Sequence, residues 1–247
     1  MSSRLTVVLV SLLFGAPPVI FCLWLVIVPA RIAVRCPEEC KCENGGILVT
    51  CYGKSLTAPP LIRLTGVRKL GLIDNNITML EKDTFVSRGL SQLEILQIKG
   101  CGMRTIELGA FNGLTELTHI SIIYNEISEI IPGTFVNMNS LKYLDLQFNS
   151  LEHLHSDIFS GLVNLKTLFL TGNNLQYLHP DTFLRLPNLQ NLFFENNPGL
   201  QIPTDHNFIN LHSLQFLIYQ AAISVHCQLK HLQTSVHWSG LTWSTII

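Results

Sequence analysis

The chain has 247 residues, of which 47% are hydrophobic and only 13% charged, so it can build a core while its surface relies on neutral polar side chains. Its 16 basic and 17 acidic residues give a formal charge of -1. This balance excludes the net basic field that a nucleic-acid-binding domain uses, and no acidic tail stands out.

The first 30 residues differ from the rest, because no charged residue lies between Arg4 and Arg31 and most of the intervening side chains are apolar. Such a segment is typical of a secretory signal peptide with a basic start at Arg4. It is also long enough for a signal anchor, although Pro17 and Pro18 would break a membrane-spanning helix. We favour cleavage, and both interpretations place the remaining chain outside the cytosol.

A group of cysteines follows this leader, in a cysteine-rich segment of residues 31–66. Its members are Cys36, Cys40, Cys42 and Cys51. An exported chain meets an oxidising compartment, which favours disulfides over the alternative, a zinc knot. Four cysteines allow three pairings, and their spacing alone leaves all three open.

A repeat occupies residues 67–222, in about seven units. The units begin 24 to 26 residues apart at Val67, Leu93, Leu117, Leu141, Leu165, Leu189 and Leu214. Apolar residues recur at offsets 0, 3, 5, 10 and 13, and a Phe recurs at offset 18. An Asn recurs at offset 8, at Asn75, Asn125, Asn149, Asn173 and Asn197. Coincidence over six units indicates a repeat architecture.

The spacing predicts one short strand in each unit. Apolar residues at offsets 3 and 5 point to the same side of a strand, and stacked strands form a parallel sheet over a continuous core. The Asn at offset 8 lies where the chain leaves the strand, so its amide can pair with backbone groups in a ladder. The Phe at offset 18 comes from the returning side and is expected to form an aromatic spine.

These units resemble the extracellular "typical" leucine-rich repeat, Leu-x-x-Leu-x-Leu-x-x-Asn-x-Leu-x-x-Leu followed by Phe and Leu. The segment from Cys36 to Cys42, with Cys51 beyond it, resembles the family's N-terminal cysteine cap, as in Slit-like, Toll-like and small-proteoglycan ectodomains. The resemblance implies an α/β solenoid: a horseshoe with a parallel β-sheet on its concave face and an irregular or 3-10 convex side. It also implies the disulfides Cys36–Cys42 and Cys40–Cys51.

Two places depart from the pattern. Cys101 replaces the ladder Asn of the second unit, and we interpret it as a buried, inert thiol. The tail at 223–247 contains Cys227 but no paired-cysteine C-terminal cap. An end buried by a partner, a truncated or mis-spliced chain, and an atypical helical cap would each explain this tail, and we favour truncation.

No catalytic motif occurs in the sequence, so we predict that the chain is not an enzyme and needs no cofactor or metal. His153 and His155, and the histidines of the tail, lack a spacing that matches a metal geometry. Asn76-Ile77-Thr78 is the only glycosylation sequon without proline. Because Asn76 follows a ladder residue, its side chain should face outward and carry a glycan.

The concave face is the predicted binding surface, because alternation along each strand exposes the residues beside the core leucines. Aromatic residues gather toward its C-terminal half, and exposed aromatic patches mark interfaces. The residues expected to contact a partner are Tyr143, Phe169, Phe193, Phe216, Ile123, His119, Asp145 and Glu195.

The sequence therefore predicts a secreted or membrane-associated module that binds another extracellular or cell-surface protein in recognition or adhesion. A membrane association would come only from a retained leader, and no nucleic acid is expected. The alternatives are a structural protein of the extracellular matrix and a truncated receptor ectodomain.

Overall fold

A computed structural model describes residues 36–53, 55–62, 64, 66–179, 181–201, 211 and 213–218. The predicted leader, the tail with Cys227 and the last spine position at Phe208 lie outside this range. The thirteen strands are β1 (Cys40–Glu43), β2 (Leu48–Tyr52), β3 (Lys69–Ile73), β4 (Met79–Leu80), β5 (Ile95–Lys99), β6 (Thr105–Ile106), β7 (His119–Ile123), β8 (Tyr143–Asp145), β9 (His153–Leu154), β10 (Thr167–Phe169), β11 (Tyr177–Leu178), β12 (Asn191–Phe193) and β13 (Phe216–Ile218).

One nine-stranded sheet runs through these residues in the order β1-β2-β3-β5-β7-β8-β10-β12-β13. Only the β1–β2 pair is antiparallel; each later neighbour pairs in parallel, one repeat further along the chain. Seven strands of this sheet correspond one to one to the seven predicted units: β3, β5, β7, β8, β10, β12 and β13. The predicted leucine-rich-repeat solenoid is therefore confirmed.

The returning side of the solenoid contains little regular structure among the described residues. It holds the two-stranded pairs β4–β6 and β9–β11 and a 3-10 turn at Val86–Arg88, and the cap contributes a second 3-10 turn at Asn44–Gly46. Within the described ranges, no helix has the length and apolar character that crossing a bilayer requires.

The core lies between the sheet and this returning side, and it is built from the predicted apolar positions. In the fourth unit, Leu141, Leu144, Leu146 and Leu151 are completely buried. Because the strands pair without a register shift, Leu144 lies beside Leu168 on the next strand. Each repeat thus completes the burial of its neighbour, which a single strand of this length could not achieve alone.

The asparagine ladder closes the turn after each strand. Asn173 donates from its Nδ2 to the carbonyl oxygens of Leu146 (3.1 Å) and Leu170 (2.9 Å), and its Oδ1 accepts the N–H of Leu151 at 3.1 Å. Asn149 and Asn197 repeat this arrangement one repeat before and after. One buried amide therefore satisfies backbone groups of two successive repeats.

Cys101 occupies one position of this ladder and reproduces half of its chemistry. Its Sγ lies 3.4 Å from the carbonyl oxygen of Leu72 and 3.5 Å from that of Lys99, so the thiol replaces the donating amide. It brings no carbonyl oxygen to replace the accepting group. Burial raises the pKa of the thiol, which agrees with the interpretation of Cys101 as an inert residue.

The phenylalanine spine braces the side of the core opposite the sheet. Neighbouring rings are nearly parallel, with centroids 6.1 Å apart for Phe85 and Phe111, 6.0 Å for Phe111 and Phe135, and 6.2 Å for Phe159 and Phe183. All five rings are buried. The spine and the ladder therefore hold each repeat at two separate places.

The N-terminal cap is a disulfide-bonded hairpin that covers the first repeat. The disulfides are Cys36–Cys42 and Cys40–Cys51, the pairing that the resemblance implies. Strand β2 joins the parallel sheet beside β3, and its Val49 and Cys51 are completely buried. The hairpin thus supplies the first core layer with the neighbour it would otherwise lack.

Candidate functional site on the outer face of the sheet

The outer face of the parallel sheet is the side that points away from the core leucines. The strand register arranges its side chains in rows. The first row is Lys69, Ile95, His119, Tyr143, Thr167, Asn191 and Phe216, and the second is Gly71, Gln97, Ser121, Asp145, Phe169, Phe193 and Ile218. A third row begins with Ile73, Lys99 and Ile123, and the same offset in the following repeats, beyond the ends of their strands, continues it with Gln147, Thr171 and Glu195. Residues that stand next to each other in a row are about 4.8 Å apart along the solenoid.

An aromatic cluster occupies the middle and C-terminal part of this face; we define it as His119, Tyr143, Phe169 and Phe193. The rings of Phe169 and Phe193 stack with centroids 4.5 Å apart and an angle of 9° between their planes. Tyr143 leans on Phe169 at 5.3 Å, and His119 leans on Tyr143 at 5.6 Å. Four predicted site residues therefore form one continuous surface.

Two other predicted site residues, Phe216 and Ile123, do not belong to this cluster. Phe216 is 44% exposed and lies beside Asn191 in the first row, so it belongs to a different row from Phe193. Ile123 is half-buried in the third row, beside Lys99. Among the described residues, no aromatic ring stacks on that of Phe216.

The burial of Asp145 contradicts one expectation, because alternation along the strand predicts that it is an exposed residue of this face. Only 6% of it is exposed. Its Oδ1 accepts hydrogen bonds from the backbone N and from the Nε2 of Gln147, both at 3.1 Å, and the Tyr143 hydroxyl lies 3.4 Å from its Oδ2. Neighbouring residues of the same repeat therefore cover it, which alternation along the strand does not predict.

Burial also changes the ionisation of this pair. Burial raises the pKa of Asp145, and the hydrogen bonds from Gln147 and Tyr143 oppose that shift. Burial and the neighbouring Asp145 carboxylate raise the pKa of Tyr143 to about 12. The Tyr143 hydroxyl thus remains a neutral donor at physiological pH, and it faces a carboxylate that is poorly solvated.

Glu195 and Thr171 bring two further oxygens into this face. The Oε2 of Glu195 and the Oγ1 of Thr171 are buried, and neither has a hydrogen-bond partner. The two residues are neighbours in the third row, next to the Phe169–Phe193 stack. A buried oxygen without a partner loses its hydration and gains nothing in exchange, so these two oxygens leave this corner of the face poorly stabilised.

Tyr124 and Phe148 form an aromatic pair where the chain leaves the strands, which we call the aromatic ledge. It is not part of the predicted site. The two rings stack at 4.5 Å, and Tyr124 is 50% exposed. Both residues have a left-handed backbone, with φ of 55° and 54°, at a position where other repeats use Gly100 and Gly172. Glycine adopts this backbone conformation without a steric penalty, whereas a residue with a side chain is strained in it. The glycines of the other repeats therefore indicate that Tyr124 and Phe148 lie at strained positions.

A shallow groove runs along the opposite edge, where the strands begin. It is lined by Lys142, Lys166, Asn164 and Asn188, with Glu116 at one end. Asn164 and Asn188 use their side-chain amides to bind backbone carbonyls of the preceding repeat. These contacts make the groove part of the structural bracing between repeats.

Asn76 and Thr78 of the sequon are both exposed, on the turn that follows β3. Glycan attachment at Asn76 stays a prediction. Within the described residues, no group of three or more His, Cys, Asp or Glu side chains is arranged to hold a metal ion.

Comparison with known proteins agrees with this geometry. The family model for the leucine-rich repeat matches residues 91–151 and 140–198. Relatives include trophoblast glycoprotein of Macaca fascicularis, 28% identical over 99 residues (40% of this chain and 24% of that protein). Leucine-rich repeat-containing protein 4 of Homo sapiens is 39% identical over 64 residues, or 26% of this chain and 10% of that protein. Chondroadherin-like protein of Homo sapiens is 30% identical over 100 residues (40% and 13%).

Among solved structures, the APL1 leucine-rich repeat domain superposes with a TM-score of 0.55 at 25% identity, covering 63% of this chain and 39% of that one. The aligned segments span about a quarter or less of the length of the named relatives. These relatives are extracellular leucine-rich-repeat proteins rather than enzymes.

Proposed function

We propose that this chain, a leucine-rich-repeat solenoid with a disulfide-bonded N-terminal cap, is an extracellular protein-binding module that acts in cell-surface recognition or adhesion through the outer face of its sheet. The observation that carries the proposal is the aromatic cluster. Large side chains on a sheet face normally turn toward a core, yet Tyr143, Phe169 and Phe193 stand on the side that faces away from it. Aromatic groups in this position are typical of binding hot spots.

The rigidity of the face supports the same function. The ladder and the spine fix each strand from behind, and the stacked rings limit each other's motion. A partner that binds here therefore orders few side chains, and less of the interaction free energy is lost to conformational entropy. Surfaces of this kind recognise a partner without folding around it.

An extracellular location is part of the proposal and rests on two features. The cap contains two disulfides, which persist in oxidising compartments. The apolar first 30 residues have the composition of an export signal. Both features agree with the extracellular relatives.

A binding screen tests the proposal. The full chain, expressed in animal cells and multimerised, is applied to an array of cells that each display one extracellular protein of the source organism. We expect saturable binding to at least one displayed protein. The variant Phe169→Ser should weaken that binding about 10-fold or more, the usual effect of removing a hot-spot aromatic.

Leu184→Ser is the matched control, because Leu184 is 52% exposed and follows the spine residue Phe183 on the returning side. It should bind as the unmodified chain does. Equal binding by Phe169→Ser, with its folding verified by circular dichroism, would remove the outer face from the proposal.

A further inference from the structure

The charged residues of the outer face are separated by sign along the solenoid. Within the described repeats, the basic residues of the three rows are Lys69 and Lys99, in the first two units. The acidic residues are Asp145 and Glu195, in the fourth and sixth units. The aromatic stack of Phe169 and Phe193 therefore lies in the negative half of the face.

Neither of these carboxylates has a cationic partner among the described residues. Other acidic side chains do pair: Glu94 with Arg68, and Glu126 with Arg104 at 2.8 Å. The hydrogen bonds of Asp145 all come from neutral donors, Gln147 and Tyr143. Withdrawing a carboxylate from water without a cation is unfavourable, so the pair of acids is left with attraction for an external positive charge.

Glu195 presents the more accessible of the two charges. Its side chain is half-buried rather than fully buried, and its Oε2 has no donor. The Thr171 hydroxyl beside it is also buried without a partner. With one oxygen buried and without a donor, the Glu195 carboxylate gains more than a fully hydrated one from a positive charge that approaches the exposed part of its side chain.

The stacked rings lie between the two acids. Phe169 follows Asp145 in the second row, Phe193 follows Phe169, and Glu195 lies two residues beyond Phe193, just after the end of β12. Because the rings stack face to face, their edges point outward and form an apolar strip. Long basic side chains lay their methylene groups on such strips while their charge reaches a polar partner.

Building on the proposed function, we propose that the protein partner presents a basic side chain, arginine or lysine, at this position: its stem lies on the edges of Phe169 and Phe193, and its cation pairs with Glu195. Asp145 stands about 12 Å from Glu195, two strands away and one row across, and adds a second, more distant attraction. The occupant is thus a basic segment of the partner, selected by charge as well as by apolar contact.

Small probes test this recognition without the partner. The full chain is mixed with N-acetyl-arginine amide or with N-acetyl-citrulline amide, which has the same length and shape but no charge. Ligand-observed NMR, by saturation transfer, reports weak binding of each. We expect arginine amide to bind at least 10-fold more tightly than citrulline amide.

The variants locate the site. Glu195→Gln should weaken binding of arginine amide about 10-fold, as for loss of a charge-assisted hydrogen bond, and Asp145→Asn about 3-fold. Glu126→Gln, which removes an exposed carboxylate elsewhere, should leave it unchanged. Equal binding of arginine and citrulline, or binding that survives Glu195→Gln, would overturn the proposal.

These outcomes are separable from those of the binding screen. If Phe169→Ser loses the displayed partner while Glu195→Gln retains full affinity for it, the outer face binds the partner without a basic side chain at Glu195. In that case the proposed function stands and the present inference fails.

Discussion

Asp145 shows at the scale of one residue how this surface differs from an ordinary sheet face. Its carboxylate is almost wholly removed from solvent and accepts hydrogen bonds from neutral groups of the same repeat. Burial raises its pKa, so the folded protein favours the protonated form more than the unfolded chain does. The contribution of Asp145 to stability is therefore fully present below its unfolded pKa and is lost as the pH rises through its folded pKa.

Because the folded protein disfavours the charged form of Asp145, we expect Asp145→Asn to be more stable than the unmodified chain at pH 7. The amide keeps an oxygen for Gln147 and carries no charge. We predict a melting temperature about 2–4 °C higher, the shift that ~1 kcal/mol gives in a chain of this size. The difference should shrink as the pH falls toward the pKa of a free aspartate.

Thermal unfolding monitored by circular dichroism at several pH values measures this change. Glu126→Gln serves as the control, since Glu126 is exposed and paired with Arg104. A lower melting temperature for Asp145→Asn at pH 7 would show that the carboxylate stabilises the fold.

The burial of Asp145 could not be predicted from the sequence. Alternation along a strand assigns each residue to a face, and it assigned Asp145 to the outer one. It does not say how Tyr143, Gln147 and Phe169 arrange their side chains around it, because that depends on rotamers and on a neighbour in the next repeat. The unpaired oxygens of Glu195 and Thr171 were out of reach for the same reason.

At the scale of the structural element, the sequence was a better guide. The offsets of leucine, asparagine and phenylalanine predicted the strands, the ladder and the spine, since each depends on a period that every unit repeats. Asn125, Asn149 and Asn173 make the contacts expected of them. The aromatic ledge lies outside the predicted site because that prediction used the alternating positions of the strands, whereas Tyr124 and Phe148 lie one residue beyond them with a left-handed backbone.

The ladder provides a direct comparison between two adjacent asparagines. Asn173 is buried with three hydrogen bonds to backbone groups of its own and the preceding repeat, whereas Asn174 has an exposed side chain. Asn173→Ala leaves these buried groups unpaired, so we expect it to lower the free energy of unfolding by about 3 kcal/mol. Asn174→Ala should change it by less than ~0.5 kcal/mol.

Urea denaturation of both variants gives the two free energies. Similar values for the two would mean that the ladder is not a major source of stability. A selective effect of Asn173→Ala would connect the asparagine repeat in the sequence to the rigidity of the sheet face.

At the scale of the whole molecule, the described residues with structural roles lie behind the sheet, and the proposed binding surface is its outer face. The core, ladder and spine use the residues that recur in every unit. The outer face carries residues that do not recur: a histidine, a tyrosine, two stacked phenylalanines and unpaired carboxylates. This division is what a binding solenoid needs, because side chains on the face can differ while the repeat stays the same.

Masking the outer face with a glycan tests this division most directly. Phe193→Thr creates the sequon Asn191-Leu192-Thr, which places a glycan on Asn191, in the row next to Phe169. The double variant Asn191→Gln/Phe193→Thr lacks that glycan and isolates the loss of the ring. Glu126→Asn creates a sequon at the exposed position that corresponds to Asn76 two repeats earlier, away from the face.

The measurement is the affinity of these glycosylated chains for the partner found in the binding screen. We predict that the glycan on Asn191 abolishes binding beyond the loss seen in the double variant, and that Glu126→Asn leaves binding intact. Full affinity with a glycan on Asn191, together with loss of affinity in Glu126→Asn, would place the binding surface outside the sheet face.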